Sequence, residues 1–492
     1  MAAAKRENLP EIFVPDDPRW ASRAAARGEI RRLVRGLYST NLDEPVEHLV
    51  RRRWYDIAAL YFPGAVVVDR SAVLSGPASD GSLFLDSGPT PAKPRTVVLP
   101  GLTLRPRPGP GPVEGDIEFA SLHIAGPART ALDNTRPSRE RKGVRRTLRR
   151  EEQEERLDRL ARIRGNAALN ELRDEARAVA PTLEAEKELA DLERLIGALL
   201  GTRDDALRTR AARARRAGLG YDSDRLRLFE ALRSELARQE FPRRAAPEDP
   251  ERWFAFFEAY FSNWIEGTIF EVAQAEEIVF GGTIPVERPA DAHDIQGTFE
   301  VVTDPRLSSA APSSAEDLES YIREAHRRIM SGRPEIEPGE FKHQSNRSGA
   351  TVFVHPDLVR GTLREGFTLY QTLALGMPRA IFAMFLIAEI HPFADGNGRV
   401  ARTLMNAELS AAGMCRVMVP LSYRDEYMSA LRALSHNENP RPLWRMIERA
   451  QRWAAAMTWS DHDRVLNLLE QANALVTPER AHERNLHLLD PM

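Results

Sequence analysis

A single cysteine, Cys415, stands in 492 residues. One thiol cannot form an internal disulfide scaffold or build a cysteine zinc site. It sits in Ala-Gly-Met-Cys-Arg-Val-Met-Val, where it reads as a small buried hydrophobe. The chain also lacks an N-terminal apolar run of the signal-peptide kind, and it has no uninterrupted apolar stretch of membrane-spanning length. The expectation is a cytoplasmic protein with no membrane partner. A dominant charge of one sign is missing too. The formal net charge is -3, so no global field draws the chain to nucleic acid or to a lipid surface. The length exceeds one usual core, and two to three domains are expected.

Chemistry is concentrated in one stretch, His391-Pro-Phe-Ala-Asp-Gly-Asn-Gly-Arg-Val-Ala-Arg402. The apolar run before it, extended back to about Thr368, reads as a buried helix. His391-Pro392 ends that helix, because a residue preceding proline avoids the helical region. Asp395-Gly-Asn-Gly398 is a turn signal, and Val400, Leu404, Met405, Leu409 and Ala412 follow at helical spacing. The loop therefore opens onto a helix N-terminus, where free N–H groups and the helix dipole favour an anion. Gly396 and Gly398 allow close backbone approach. Asn397 can hold the loop or meet a phosphate. Asp395 offers hard oxygen to Mg²⁺ or Mn²⁺. Arg399 and Arg402, three apart, share a face and can fork onto phosphates. His391 can accept a proton from a hydroxyl near neutral pH. Phe393 reads as an inward loop anchor. With no second local metal ligand, phosphates are the simplest source of the missing oxygens. Together these residues ask for a nucleoside triphosphate, a divalent cation and a nucleophile.

The stretch resembles the active-site motif of the Fic family, His-x-Phe-x-(Asp/Glu)-Gly-Asn-Gly-Arg-x-x-Arg, at every specified position. The resemblance implies transfer of AMP from ATP to a Ser, Thr or Tyr hydroxyl of a protein, this chain itself included, with release of pyrophosphate. It implies His391 as base and Asp395 as Mg²⁺ ligand. Gly396, Asn397 and Gly398 would form the anion hole, with Arg399 and Arg402 on phosphates and Arg402 on the γ-phosphate. ATP is preferred by family alone, since nothing in the motif reads the base. Upstream, Ser262-Asn-Trp-Ile-Glu266-Gly267 resembles the family's inhibitory motif (Ser/Thr)-x-x-x-Glu-(Gly/Asn), with Thr268 where asparagine often follows. The resemblance implies that Glu266 pairs with Arg402 and blocks γ-phosphate placement. Residues 338–356 resemble the family's hairpin flap, which registers a target main chain by strand addition. Two other readings stand beside transfer. One is removal of AMP, with Glu266 orienting a water. The other is a DNA-binding regulator whose Fic region senses nucleotide.

The expected fold is mainly α and multidomain: an all-helical Fic core with a β-hairpin flap, preceded by a helical linker and a small α+β winged-helix-like domain. The segments are a flexible arm over 1–20, the α+β domain over 21–135, and a helical linker over 136–215. The Fic region follows over 216–460, with the inhibitory helix near 252–267, and peripheral helices over 461–492. Within the Fic region, 281–315 reads as a loop or small insertion. The 21–135 region resembles AbiEi-type antitoxins and transcriptional regulators through Arg32-Leu-Val-Arg-Gly-Leu-Tyr38, Val68-Asp-Arg-Ser-Ala72 and Ser121 to Asp133. That resemblance implies double-stranded DNA as a partner, with Arg31, Arg32, Arg35, Arg51, Arg52 and Arg53 meeting phosphates. The same arginines also suit solvated charges beside Asp43, Glu44 and Glu47 on a domain that docks protein. A homodimer is compatible with the sequence, and no specific feature points to one.

Overall fold

The computed structural model describes residues 9–90, 94–141, 144–246 and 252–491. The chain divides into two compact units, one ending at Ala217 and one beginning at Gly218.

The N-terminal unit holds two main sheets. Ile12–Phe13, Leu37–Ser39 and Arg31–Val34 form a three-stranded antiparallel sheet in that order. The helix Pro18–Ala26 starts from Asp17, whose side chain accepts from the N–H groups of Arg19 and Trp20. Ala21 and Ala24 on that helix pack on Phe13, Ile30 and Tyr38. Residues 9–20 are thus not a loose arm, because a ladder and a helix cap fix them; residues 1–8 lie outside the described residues. Only one helix among the described residues stands between the first strand and the Arg31–Ser39 hairpin. The helix pair of a winged helix-turn-helix is not formed there. The second sheet has six strands, ordered Val97–Leu99, Leu102–Arg107, Ser82–Asp86, Val66–Val67, Leu122–Ile124, Ile117–Phe119. It is mixed: Ser82–Asp86 runs parallel to Leu102–Arg107, and Val66–Val67 parallel to Leu122–Ile124. Buried Arg129 ties this unit together, reaching Asp86 at 2.5 Å and Asp116 at 2.6 Å.

The segment expected as a linker is part of this unit's core. The helices Arg150–Arg164, Ala167–Val179 and Glu186–Leu199 bury Leu157, Leu169, Leu172, Leu192, Leu195 and Leu199 in one cluster with Leu132. A helix with an apolar stripe needs a partner for it, and here the partner is the helix Pro127–Thr135.

Among its described residues the C-terminal unit is helical apart from one small hairpin and a lone bridge between Ala245 and Met414. Its centre is the pair Met377–Ile390 and Asn397–Ala411, both almost wholly buried. A helix apolar all round belongs inside a helical unit, and the sequence of Met377–Ile390 has that character. The single helix expected from Thr368 is instead two, Val359–Tyr370 and Met377–Ile390, broken where Gly376 takes φ 94°. The helices Ser223–Leu236, Arg252–Ile265, Ala315–Ile329, Arg424–Asn437 and Arg441–Ala456 join this core. So does the helix His462–Gln471, through Val465 and Leu469. The loop expected over 281–315 contains a helix, Pro289–Thr303, opened by its first-turn proline. Its buried side interleaves Ala292, Ile295, Val301 and Val302 with Asp294, Gly297 and Thr298, so polar and small residues interrupt the apolar stripe. A methyl on Gly297 would stand 2.2 Å from the Arg328 carbonyl oxygen, which shows how closely this helix packs on Ala315–Ile329. No helix among the described residues is long and apolar enough to cross a membrane.

Candidate active site

The loop from His391 to Gly396 joins the two central helices. His391 caps the first in the left-handed region, at φ 54° and ψ 60°. A non-glycine residue there carries strain, sustained only where its surroundings hold it. The ring is held from two sides. Nδ1 lies 3.2 Å from the Ala388 carbonyl oxygen, and the Phe353 ring stacks on it with centroids 3.8 Å apart. A carbonyl only accepts, so Nδ1 carries the proton and Nε2 keeps its lone pair. Burial pushes the His391 imidazole down to about 4, opposed by the Ala388 bond. The ring is therefore neutral at pH 7, the form a base needs.

Phe393 is fully buried and stacks on His326, centroids 3.8 Å apart. The Gly339 N–H donates to His326 Nδ1 at 2.8 Å, so Nε2 bears the proton and donates to the Asp395 carbonyl oxygen at 3.1 Å. Asn397 spends its side chain inside the loop: Oδ1 accepts from Phe393 N at 2.8 Å, and Nδ2 donates to Phe393 O at 3.0 Å. Of the two roles open to it from sequence, the structure has its side chain holding the loop. Gly396, at φ 75°, also lies where a methyl would stand 2.6 Å from Met330 Sδ. Asp395 is exposed and accepts from Gly396 N at 2.7 Å. No cluster of three or more His, Cys, Asp or Glu suited to a metal occurs among the described residues. The exposed Asp395 carboxylate fits a hard cation that completes its shell from phosphates and water.

The two motif arginines have different surroundings. Arg402 donates from Nε to Ser262 Oγ at 3.0 Å, and from Nη2 to Ser262 O and Glu266 Oε1, both at 2.8 Å. Arg399 is buried, with Nη1 2.6 Å from Asp294 and 3.1 Å from Asn263 Oδ1. Asp294 is fully buried and also reaches Arg333 at 2.8 Å. Arg399, expected on phosphate from the resemblance, has its charge matched by Asp294 and is not among the residues that line the cavity at His391. Consecutive residues Ser262 and Asn263 thus read both arginines.

Glu266 is placed by a helix end. The Gly267 N–H donates to Trp264 O at 3.0 Å and the Thr268 N–H to Asn263 O at 3.1 Å. This is the paired pattern of a Schellman cap, with Gly267 at φ 91°. The cap aims Glu266 at the loop. A methyl on Gly398 would stand 2.0 Å from Glu266 Oε1 and 3.1 Å from Arg402 Nη1. The carboxylate therefore occupies the space directly over the glycine turn.

A cavity of about 390 Å³ opens here, lined by Glu266, Phe353, His391, Gly398, Arg402 and Tyr427 among others. Its roof is the hairpin Arg347–Ser348 with Thr351–Val352. The hairpin is held by Arg225, which donates to the Val352 carbonyl, and by Thr351 Oγ1, 2.7 Å from His436 Nε2. Arg225 is fixed by Glu389 at 2.5 Å. Lys342, pushed down to about 7 by burial, donates to Asn346 Oδ1 at 2.7 Å, and Asn346 donates to Phe393 O at 3.0 Å. Sequence reading missed Asp294, His326, Arg225 and Tyr427. None sits in a motif, and each gains meaning only from a distant partner.

The six arginines considered for DNA lie in the other unit. Arg52 reaches Glu11 at 2.6 Å and Glu44 at 2.7 Å, Arg53 reaches Asp56 at 2.8 Å, and Arg31 donates to the Glu44 carbonyl oxygen at 2.5 Å. Arg51 donates to Gly101 O at 3.2 Å. Arg32 and Arg35 are exposed.

Residues 317–409, which span the loop and both central helices, match the Fic/DOC family. The chain is a distant homologue of Fic-domain adenylyltransferases. It is 26% identical to protein adenylyltransferase fic-1 of Caenorhabditis elegans over 46% of this chain and 46% of that protein. It is 31% identical to protein adenylyltransferase Fic of Drosophila willistoni over 39% of each. The chain thus spans less than half the length of these relatives. A solved structure of Fic-1 from Caenorhabditis elegans aligns over 65% of this chain and 97% of its own, at 20% identity and a TM-score of 0.36.

Proposed function

We propose that this chain is a protein adenylyltransferase restrained by its own Glu266. The observation that carries the proposal is the position of that carboxylate, 2.8 Å from Arg402 and directly over Gly398. Arg402 is the motif arginine that lines the cavity, and a carboxylate already in its fork repels an incoming phosphate. When Glu266 swings away, Arg402 is free to take the terminal phosphate of ATP. The N–H groups at the start of Asn397–Ala411 then face the inner phosphates. Mg²⁺ or Mn²⁺ would be held by Asp395 and would neutralise phosphate charge. His391 Nε2 takes the proton of a target Ser, Thr or Tyr hydroxyl. The hydroxyl oxygen bonds to the α-phosphorus, the bond from that phosphorus to the β-bridging oxygen breaks, and pyrophosphate leaves. The exposed hairpin edge registers the target chain by strand addition.

Intact-protein mass and ATP turnover test this with Mg²⁺, on wild type, Glu266→Gly, and Glu266→Gly with His391→Ala. The expected result is AMP transfer and faster turnover in Glu266→Gly alone. Equal activity in wild type would remove the restraint, activity that persists without His391 would remove the base, and an inert, folded Glu266→Gly protein would remove the reading.

A further inference from the structure

The N-terminal unit has a cavity of its own, about 390 Å³, between residues of the six-stranded sheet and Ser138, Arg139, Val144 and Arg146. Arg105, Arg139 and Arg146 line it, and Asp80 is the one carboxylate among its lining residues. Asp80 Oδ1 accepts from Ser82 N at 2.8 Å and its Oδ2 from Ser82 Oγ at 2.9 Å, so the carboxylate is turned onto Ser82. Arg146 is held by Asp69 and lies over the Phe84 ring, 5.3 Å from its centroid. The other two arginines differ. Elsewhere in this unit arginines end on carboxylates, as Arg107 does on Asp133 at 2.7 Å, Arg70 on Glu152 at 2.8 Å and Arg215 on Asp158 at 2.7 Å. Among the described residues neither Arg105 nor Arg139 has a carboxylate within 4.0 Å. Arg105 donates from Nε to Ser82 Oγ at 2.8 Å, and its two terminal nitrogens are left to the cavity.

A concavity lined by like charges focuses positive potential, in a chain whose net charge is -3. Guanidinium forks match the geometry of phosphate oxygens, and Thr96 and Ser138 add hydroxyls to the same wall. The volume suits a small molecule. We propose that this cavity binds a small phosphate-bearing ligand gripped by Arg105 and Arg139. A cavity of this volume, unlike a flat basic ridge, favours a free phosphate ester over a duplex backbone. This site is independent of the adenylyltransferase reading and uses none of its residues.

Calorimetric titration of the full chain at low ionic strength, with inorganic phosphate and with AMP as probes, tests the proposal. The proteins compared are wild type, Arg105→Gln, Arg139→Gln, Arg139→Lys and Arg402→Gln. Each glutamine substitution at Arg105 or Arg139 should weaken binding about tenfold, on the scale of a lost charge-assisted hydrogen bond. Arg139→Lys should recover part of the loss, and Arg402→Gln should leave a binding event in place. The Arg139 side chain is exposed, so its substitution does not threaten the fold. Equal binding in wild type and Arg139→Gln, or no heat with either probe, would overturn the proposal. So would loss confined to Arg402→Gln, or binding of a short DNA duplex through Arg105 and Arg139 where neither probe binds.

Discussion

Phe353 lies flat against His391, with ring centroids 3.8 Å apart and planes 6° from parallel. Phe353 directly follows the hairpin strand Thr351–Val352, and His391 ends a core helix in a strained conformation. The stack therefore joins the cavity roof to the base. An aromatic pair of this kind is worth about 0.5–1.5 kcal/mol, enough to hold one ring orientation. In the Glu266→Gly background, Phe353→Ala should lower the rate of AMP transfer roughly two- to tenfold. Phe353→Tyr should keep most of it. An unchanged rate in Phe353→Ala would mean that the Ala388 contact alone orients the imidazole.

The acid limb of activity should lie well below the usual histidine range. Burial pushes His391 down to about 4, with Lys342 acting in the same direction and the Ala388 bond, Glu266 and Asp395 opposing it. A base neutral down to that pH does not lose its lone pair near 6.5. Transfer by Glu266→Gly should thus stay level as pH falls from 7 through 6, once cation and nucleotide are kept saturating. A half-maximal point near 6.5 that disappears with no other group's substitution would place His391 in a wetter setting than this one.

Ser262 shares Arg402 with Glu266, its Oγ accepting one bond from the guanidinium at 3.0 Å and its carbonyl another at 2.8 Å. Ser262→Ala removes the first and keeps the second. The restraint should loosen without vanishing, and turnover should rise by about tenfold, between wild type and Glu266→Gly. Turnover equal to wild type would show that Oγ adds nothing to the hold on Arg402.

The active loop was readable because its residues are contiguous and each contributes its own chemistry. Glycine, a helix start, an exposed aspartate and a histidine carry the same meaning in a sequence as in a fold. Glu266 was readable through the resemblance of Ser262 to Gly267 to the inhibitory motif, and its aim comes from the Schellman cap that Gly267 permits. The helix Pro289–Thr303 was not readable. Its buried side interleaves Ala292, Ile295, Val301 and Val302 with Asp294, Gly297 and Thr298, and the place of the buried Asp294 makes sense only once Arg399 and Arg333 are set beside it. The leucine stripes of residues 150–199 were visible, but their destination was not: periodicity shows that a face must be buried, never against what.

Stability should hinge on one of those unread residues. Asp294 is fully buried and is the carboxylate paired with buried Arg399, at 2.6 Å. Removing one partner of a buried pair leaves an uncompensated charge, at a cost of about 3–5 kcal/mol. Asp294→Ala should therefore lower unfolding stability by that order, measured in urea, while Asp291→Ala on the half-buried first turn of the same helix should change it less. Asn263 Oδ1, 3.1 Å from Arg399, can take up only part of the freed charge. The loss should also reach the site, because Arg399 lies on the first turn of Asn397–Ala411, whose N–H groups form the proposed phosphate cradle. In the Glu266→Gly background, Asp294→Ala should weaken ATP binding even at temperatures where the protein stays folded. Undiminished stability would mean that Arg399 finds another partner and that the ion pair is not what seats the loop.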